Sequence, residues 1–217
     1  LFGLAVFGLN IGSHESRGDE PDEQKREFTI LIDDNPRGHS SLTIRHDSED
    51  SQTTRSETEV RMKVLGLTVY RYSSHSSETW KRGRLESLDS TADFNGELFT
   101  VRAETQQGEL RVLVNGREQK AHADVWTTSY WKLPKPLIRS QPLRLLECDK
   151  GQDLKAALRH VGDETLTIAG REEKCAHYQL TGDATVDLWF DTQERMVRQE
   201  LFERGHSVKW RPAVIRQ

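Results

Sequence analysis

Side chains able to do acid–base or nucleophilic work are few in this chain and widely scattered. His122 and Asp124 stand two residues apart, so an extended backbone puts imidazole and carboxylate on one face, close in sequence to Tyr130. Such a trio could orient a general base beside a phenol, as an envelope or surface hydrolase or lyase would need. Two solvated residues at the start of a loop would leave the same trace. Cys175 and His177 share a strand face in the same way, but a metal normally takes three or four donors. The other histidines, at 14, 39, 46, 75, 160 and 206, show no ligand spacing, so no metal site is predicted. No cofactor is predicted either. Cys-x-x-Cys, His-Glu-x-x-His, Gly-x-Ser-x-Gly, the Walker loop and Gly-x-Gly-x-x-Gly are all absent. Gly38-His-Ser40 and Gly205-His-Ser207 lack the closing glycine of a nucleophile elbow. Cys148 and Cys175 are read as two unpaired, packed thiols, with a single disulfide as the alternative in an oxidising compartment.

The aromatic residues say more than the titratable ones. Trp126, Tyr130 and Trp131 lie in the irregular stretch 121–142, which also holds Pro134, Pro136 and Pro142. Proline so dense excludes a central strand and disfavours a helix, so a crossing loop or lid is predicted, with a short helical turn around 127–131. Aromatics in such a segment either plug a core or line a ligand pocket. In the second case Trp126, Tyr130 and Trp131 line or close the mouth, with Tyr70, Tyr72 and Trp80 as walls. Trp189 and Trp210 read as ordinary strand residues, Trp189 flanked on its own face by Asp187 and Asp191.

What must position these residues is a sheet. Period-two alternation runs through Phe28/Ile30/Ile32, Leu42/Ile44, Val60/Met62/Val64, Phe99/Val101/Ala103, Leu110/Val112/Val114, Val186/Leu188/Phe190 and His206/Val208/Trp210. Each set suits a half-buried antiparallel strand. Turn signals separate them, including Asn35-Pro-Arg-Gly38, Arg82-Gly83, Asn95-Gly96, Gln107-Gly108, Asn115-Gly116, Lys150-Gly151, Ala169-Gly170 and Arg204-Gly205. Asn-Gly supplies the positive φ of a tight hairpin turn. A phase break at Gly66 is read as a bend in one long strand from about 53 to 75. Residues 153–161 fit both periods; the flanking hairpin signals favour a strand over a helix. The fold class is all-β, an antiparallel meander forming a strongly curved sheet or half-open barrel with a Pro-rich plug or lid.

Composition bounds the partners. The 217 residues carry 34% hydrophobic and 30% charged side chains, with 31 Lys+Arg against 35 Asp+Glu, a net charge of −4. A chain this long buries about 70% of its unfolded surface, so a core can form without disulfides or metals. The balanced charge gives no footprint for a nucleic-acid partner. Residues 1–12 match the apolar region of a signal peptide and are too short to span a membrane. Residues 13–26, rich in Ser, Gly, Pro and acid, read as a linker, 27–212 as one β domain, and 213–217 as a tail. An exported location, periplasmic or secreted, follows as an expectation.

Short motifs add a resemblance. Tyr178-Gln-Leu-Thr-Gly-Asp183, Asp187-Leu-Trp-Phe-Asp191 and Met196-Val197 resemble the C-terminal half of exported bacterial β-proteins grouped as domains of unknown function. Thr128-Ser-Tyr-Trp131 with Leu145-Leu146 and Gly151 is similar to their central motif, and Ser77-Glu-Thr-Trp80 through Gly83, Leu85 and Asp89 to their earlier hairpins. The match covers about 27–211. More distantly, such proteins resemble the periplasmic lipoprotein carriers LolA and LolB, which implies a half-barrel with an apolar inner face. No lipobox cysteine follows the apolar run. Three functional expectations stand in order: a protein holding a lipid-like, apolar or amphipathic ligand in a curved sheet; a hydrolase or lyase using His122, Asp124 and Tyr130; and an envelope assembly factor without a small ligand.

Overall fold

The computed structural model describes residues 23–216 except 66, 123, 140 and 141. The apolar run at 1–12 and most of the linker at 13–26 lie outside the described residues. The strands are β1 (Glu23–Ile32), β2 (Asn35–Ser48), β3 (Ser51–Val64), β4 (Leu67–Lys81), β5 (Arg84–Phe94), β6 (Glu97–Gln106), β7 (Glu109–Val114) and β8 (Arg117–Ala121). After the crossing come β9 (Trp126–Thr127), one helical turn α1 (Pro136–Arg139), β10 (Leu143–Leu146), β11 (Asp153–Ile168), β12 (Arg171–Gly182), β13 (Val186–Phe190), β14 (Met196–Glu203) and β15 (His206–Arg216).

These strands form one sheet in the order β8-β7-β6-β5-β4-β3-β2-β1-β15-β14-β13-β12-β11-β10-β9. Two meanders therefore run outward from the middle, where the first and last strands pair, Ile30 opposite Trp210. All neighbours are antiparallel except β9 and β10. The sheet does not close, yet it rolls back on itself. Gly151, in the β10–β11 turn, packs so tightly on Val114 of β7 and Val101 of β6 that a Cβ there would collide with them. Register shifts at Ile30/Leu31, Met62/Lys63, Thr79/Trp80 and Trp189/Phe190 supply local twist where the strands must curl. The inner face holds a core that draws on both meanders, from Phe28, Ile44, Leu88 and Val112 to Leu145, Leu188 and Phe190.

The all-β class and the hairpins at Asn95-Gly96, Gln107-Gly108, Asn115-Gly116 and Ala169-Gly170 are as expected from the alternation. Residues 153–161 are strand, inside β11. Four expectations are corrected. The long bent strand at 53–75 is two strands, with Val64 paired to Leu67; a continuous apolar run hid the reversal, and Gly66 itself lies outside the described residues. Asn35-Pro-Arg-Gly38 lies within β2, and the turn sits one step earlier at Asp33-Asp34, both at positive φ. The helical turn falls at Pro136–Arg139, because proline suits the first turn of a helix, and not at 127–131. The domain also reaches further at both ends, since Lys25 pairs with Arg216; neither 23–26 nor 213–216 is a loose linker or tail. Cys148 and Cys175 are both free and buried.

Candidate functional site

The rolled sheet has a filled half and a hollow half. The filled half is built on the irregular stretch. Trp126, Trp131 and Trp80 are 3%, 6% and 5% exposed. Trp80 and Trp131 meet edge to face at 5.9 Å between centroids, and Trp126 meets Tyr130 at 5.0 Å. Polar atoms fasten this plug to the wall. The Trp126 indole donates to the Lys132 carbonyl at 3.1 Å, and Leu133 N–H donates to the Glu194 carbonyl at 2.9 Å. Buried Arg26 of β1 donates to the Trp131 carbonyl at 2.9 Å and the Met196 carbonyl at 3.4 Å. Burial, with Arg195 nearby, draws its pKa down, and Asp191 opposes that.

Glu78 of β4 is the other fastener. Its carboxylate accepts from the Trp80 indole at 2.8 Å, from Thr127 Oγ1 at 2.9 Å and, at 3.7 Å, from the Cys148 thiol. Burial raises its pKa, and these donors, with Ser129, resist the rise. One carboxyl group thus ties the wall to the plug and to the β10–β11 corner.

Beyond the plug, toward the hairpin tips, the inner face opens into a cavity of about 760 Å³. The cause is a change of side-chain size. A belt of small hydroxyl residues, Ser40, Ser56, Thr58, Ser74 and Ser76, crosses β2, β3 and β4 where bulky residues would otherwise fill the space. Their hydroxyls satisfy one another, Ser40 with Thr58 at 2.9 Å and Ser56 with Ser76 at 2.8 Å, so the belt stays stable without an apolar filling. Around it stand Phe28, Ile32, Val60, Met62, Leu201 and Trp210. Tyr72 donates to Asp149 at 2.6 Å and accepts from the Ser74 hydroxyl at 2.9 Å.

Charge gathers at the mouth, on Glu147, Asp149, Lys150, Glu203 and Arg204. Burial raises the pKa of Asp149, with Glu203 adding to the rise, while the Tyr72 bond and Lys150 oppose it. Glu147 is raised in the same way, by burial first and then by Asp149 and Glu203. Tyr130 points into this space from a backbone at φ 47°, a conformation that costs a bulky residue about 1–2 kcal/mol. Its phenol is raised by burial and by Cys148 and Glu147. The pKa of the Cys148 thiol, also on the wall, is pushed well up by burial and by Glu78, which favours the thiol over the thiolate. Burial raises Cys175 to about 11.

The structure thus brings three of the expected residues, Tyr70, Tyr72 and Tyr130, to one cavity. Trp80, Trp126 and Trp131 do not line it; they are core, held there by the contacts above. His122 and Asp124 are exposed, Asp124 pairs with Arg84 at 2.9 Å, and neither reaches the cavity that Tyr130 lines. His177 is held by Asp187 at 2.8 Å and Glu164 at 3.1 Å and stacks on Trp189, a satisfied outer-face residue. No group of three or more His, Cys, Asp or Glu able to hold a metal occurs among the described residues. The hydroxyl belt went unnoticed in the sequence. Its signal was there in Ser73-Ser-His-Ser-Ser77 facing the Ser/Thr-rich 51–58.

A family model described as a domain of unknown function (DUF6134) matches residues 28–213. The chain belongs to this family. Among solved structures, this DUF6134 member is similar to a β-barrel-like protein of domain of unknown function DUF1849 from Brucella abortus. The TM-score is 0.62 at 5% identity, covering 89% of this chain and 97% of that one. At that identity the likeness shows the fold alone. No curated protein matches the chain.

Proposed function

We propose that this DUF6134 protein is an exported binding protein that holds an apolar or amphipathic, lipid-like molecule in its curved sheet. The observation that carries the reading is the 760 Å³ cavity, which the hydroxyl belt leaves unfilled inside an otherwise packed sheet. Its volume falls in the roughly 300–1,000 Å³ range of small-molecule sites. Its gradient, from Phe28, Val60 and Met62 inside to Glu147, Lys150 and Arg204 at the mouth, suits a ligand with an oily body and a polar end. Tyr70, Tyr72 and Tyr130 offer aromatic faces with polar tips between the two zones. Likeness to lipoprotein carriers, and delivery by the signal-like run at 1–12, belong to the same proposal.

The binding reading stands ahead of the hydrolase or lyase reading because His122 and Asp124 lie off the cavity that Tyr130 lines. The test is native mass spectrometry and organic extraction of the protein purified from an exporting host. Co-purified lipid-like mass, released on denaturation, is the expected result. A bare protein that also fails to bind fluorescent fatty probes would end the proposal.

A further inference from the structure

Beside the cavity mouth, the β3–β4 hairpin carries a surface that folding does not require. Leu65 is 98% exposed, Leu67 73% and Val69 55%. The hairpin projects past its neighbour: β5 ends at Phe94, opposite Tyr72, and Arg71 still bonds Asn95, so residues 67–70 have no strand partner on that side. Leu65 sits at φ 50°. In other hairpins of the same sheet that position holds Arg82, Asn95, Gln107, Asn115, Ala169 or Arg204. A large aliphatic residue there bears the cost of a left-handed backbone and presents its side chain to water, which harms both the turn and solubility.

The residues around it explain such a choice. From Val60 to Tyr72 the sequence holds Arg61, Lys63 and Arg71 and no acid, between aliphatic residues and two tyrosines. Arg61 and Lys63 are exposed. Arg71 meets Asp93 and Arg61 meets Glu59, both exposed pairs that yield readily to other anions. Leucines at the tip, Lys63 behind them, then Tyr70 opposite Met62 and Arg61 opposite Arg71, combine the aliphatic, aromatic and cationic chemistry met on entering an anionic bilayer. The surface is also continuous with the cavity, since Val69 lines its wall and Phe202 of β14, 74% exposed, lines it too.

We propose that the β3–β4 tip is a membrane-docking element, with Leu65, Leu67 and Val69 entering the acyl boundary of an anionic bilayer and Arg61, Lys63 and Arg71 at its phosphates. Docked in this way, the cavity mouth faces the lipid surface. Flotation of the full chain with phosphatidylethanolamine/phosphatidylglycerol vesicles tests this. The wild-type protein is expected to float with these vesicles, less so with phosphatidylcholine alone or in high salt. Leu65→Asp/Leu67→Asp is expected to lower the bound fraction at least tenfold, and Arg61→Ala/Lys63→Ala to remove most of the preference for anionic lipid. Both variants should keep wild-type thermal stability and probe binding in the cavity.

No flotation of the wild type, or equal flotation of the leucine variant, would overturn the proposal. So would a wild-type dimer that the leucine variant converts to monomer, because the tip would then serve self-association. Probe binding is scored separately: vesicle binding without probe binding removes the proposed function and leaves this element standing, and the reverse result does the opposite.

Discussion

The two halves of the inner face differ in what the chain supplies to fill them. At the plug, Trp80, Trp126 and Trp131 close the space to 3–6% exposure, and Glu78 and Arg26 spend their hydrogen bonds on holding the plug to the wall. Toward the tips the same strands offer Ser40, Ser56, Thr58, Ser74 and Ser76, and a cavity remains. One backbone geometry serves both halves. Side-chain volume alone decides which part is core and which is vessel.

Substitutions that exchange these properties probe the contrast most sharply. Trp126→Ala should have the largest effect, about 3–5 kcal/mol, since it removes a buried aromatic that touches Tyr130 and Phe190. Thermal unfolding should show a drop of about 6–20 °C for a chain of this size. Next comes Glu78→Ala, at about 3 kcal/mol, because it strands the Trp80 indole in a dry site and leaves the Thr127 hydroxyl only its bond to Ser129. Glu78→Gln should recover most of that loss in the same assay.

A matched pair of serines comes third. Ser90 is 2% exposed and its hydroxyl has no partner among the described residues, so Ser90→Leu should overpack the core by about 1–3 kcal/mol. Ser76→Leu points into the cavity and should change stability by less than about 1 kcal/mol while weakening probe binding. Denaturant titration of both distinguishes filled from unfilled space. Equal costs would erase the contrast. Tyr72→Phe, which removes the bond to Asp149, should cost about 1 kcal/mol, less than Trp126→Ala or Glu78→Ala.

The pH dependence follows from Glu78, Glu147 and Asp149, all raised by burial. A carboxyl group raised on folding stabilises the protein fully below its ordinary pKa, and that contribution is lost as pH rises through the folded value. Stability should therefore fall as pH climbs above the ordinary carboxylate range. Glu78→Gln should flatten the slope, as urea midpoints across a pH series would report.

Strand alternation and the Asn-Gly turns made the sheet readable from the sequence, because period two and positive φ are local properties. The β3–β4 reversal was not readable, since Leu65-Gly66 looks like a bend inside an apolar run. Pairing of β1 with β15 joins residues some 180 apart, and no local signal announces it. The tryptophans were legible as a group but not in their role. A Pro-flanked aromatic cluster fits plug and pocket equally, and only the contacts of Trp80 with Trp131 and of Arg26 with the Trp131 carbonyl decide for the plug. Serine on an inner face reads as polar surface until its partner strands are known, and so the residues that make the cavity passed as ordinary solvent-facing ones.

The unfilled half can be addressed most directly by titrating a fluorescent fatty probe into the wild-type protein and into Ser56→Leu/Ser76→Leu. Saturable binding to the wild type, reduced at least tenfold in a variant that unfolds at the same temperature, is the expected outcome. Absence of saturable binding to the wild type, or equal binding by the filled variant, would contradict the assignment of this cavity as a ligand site.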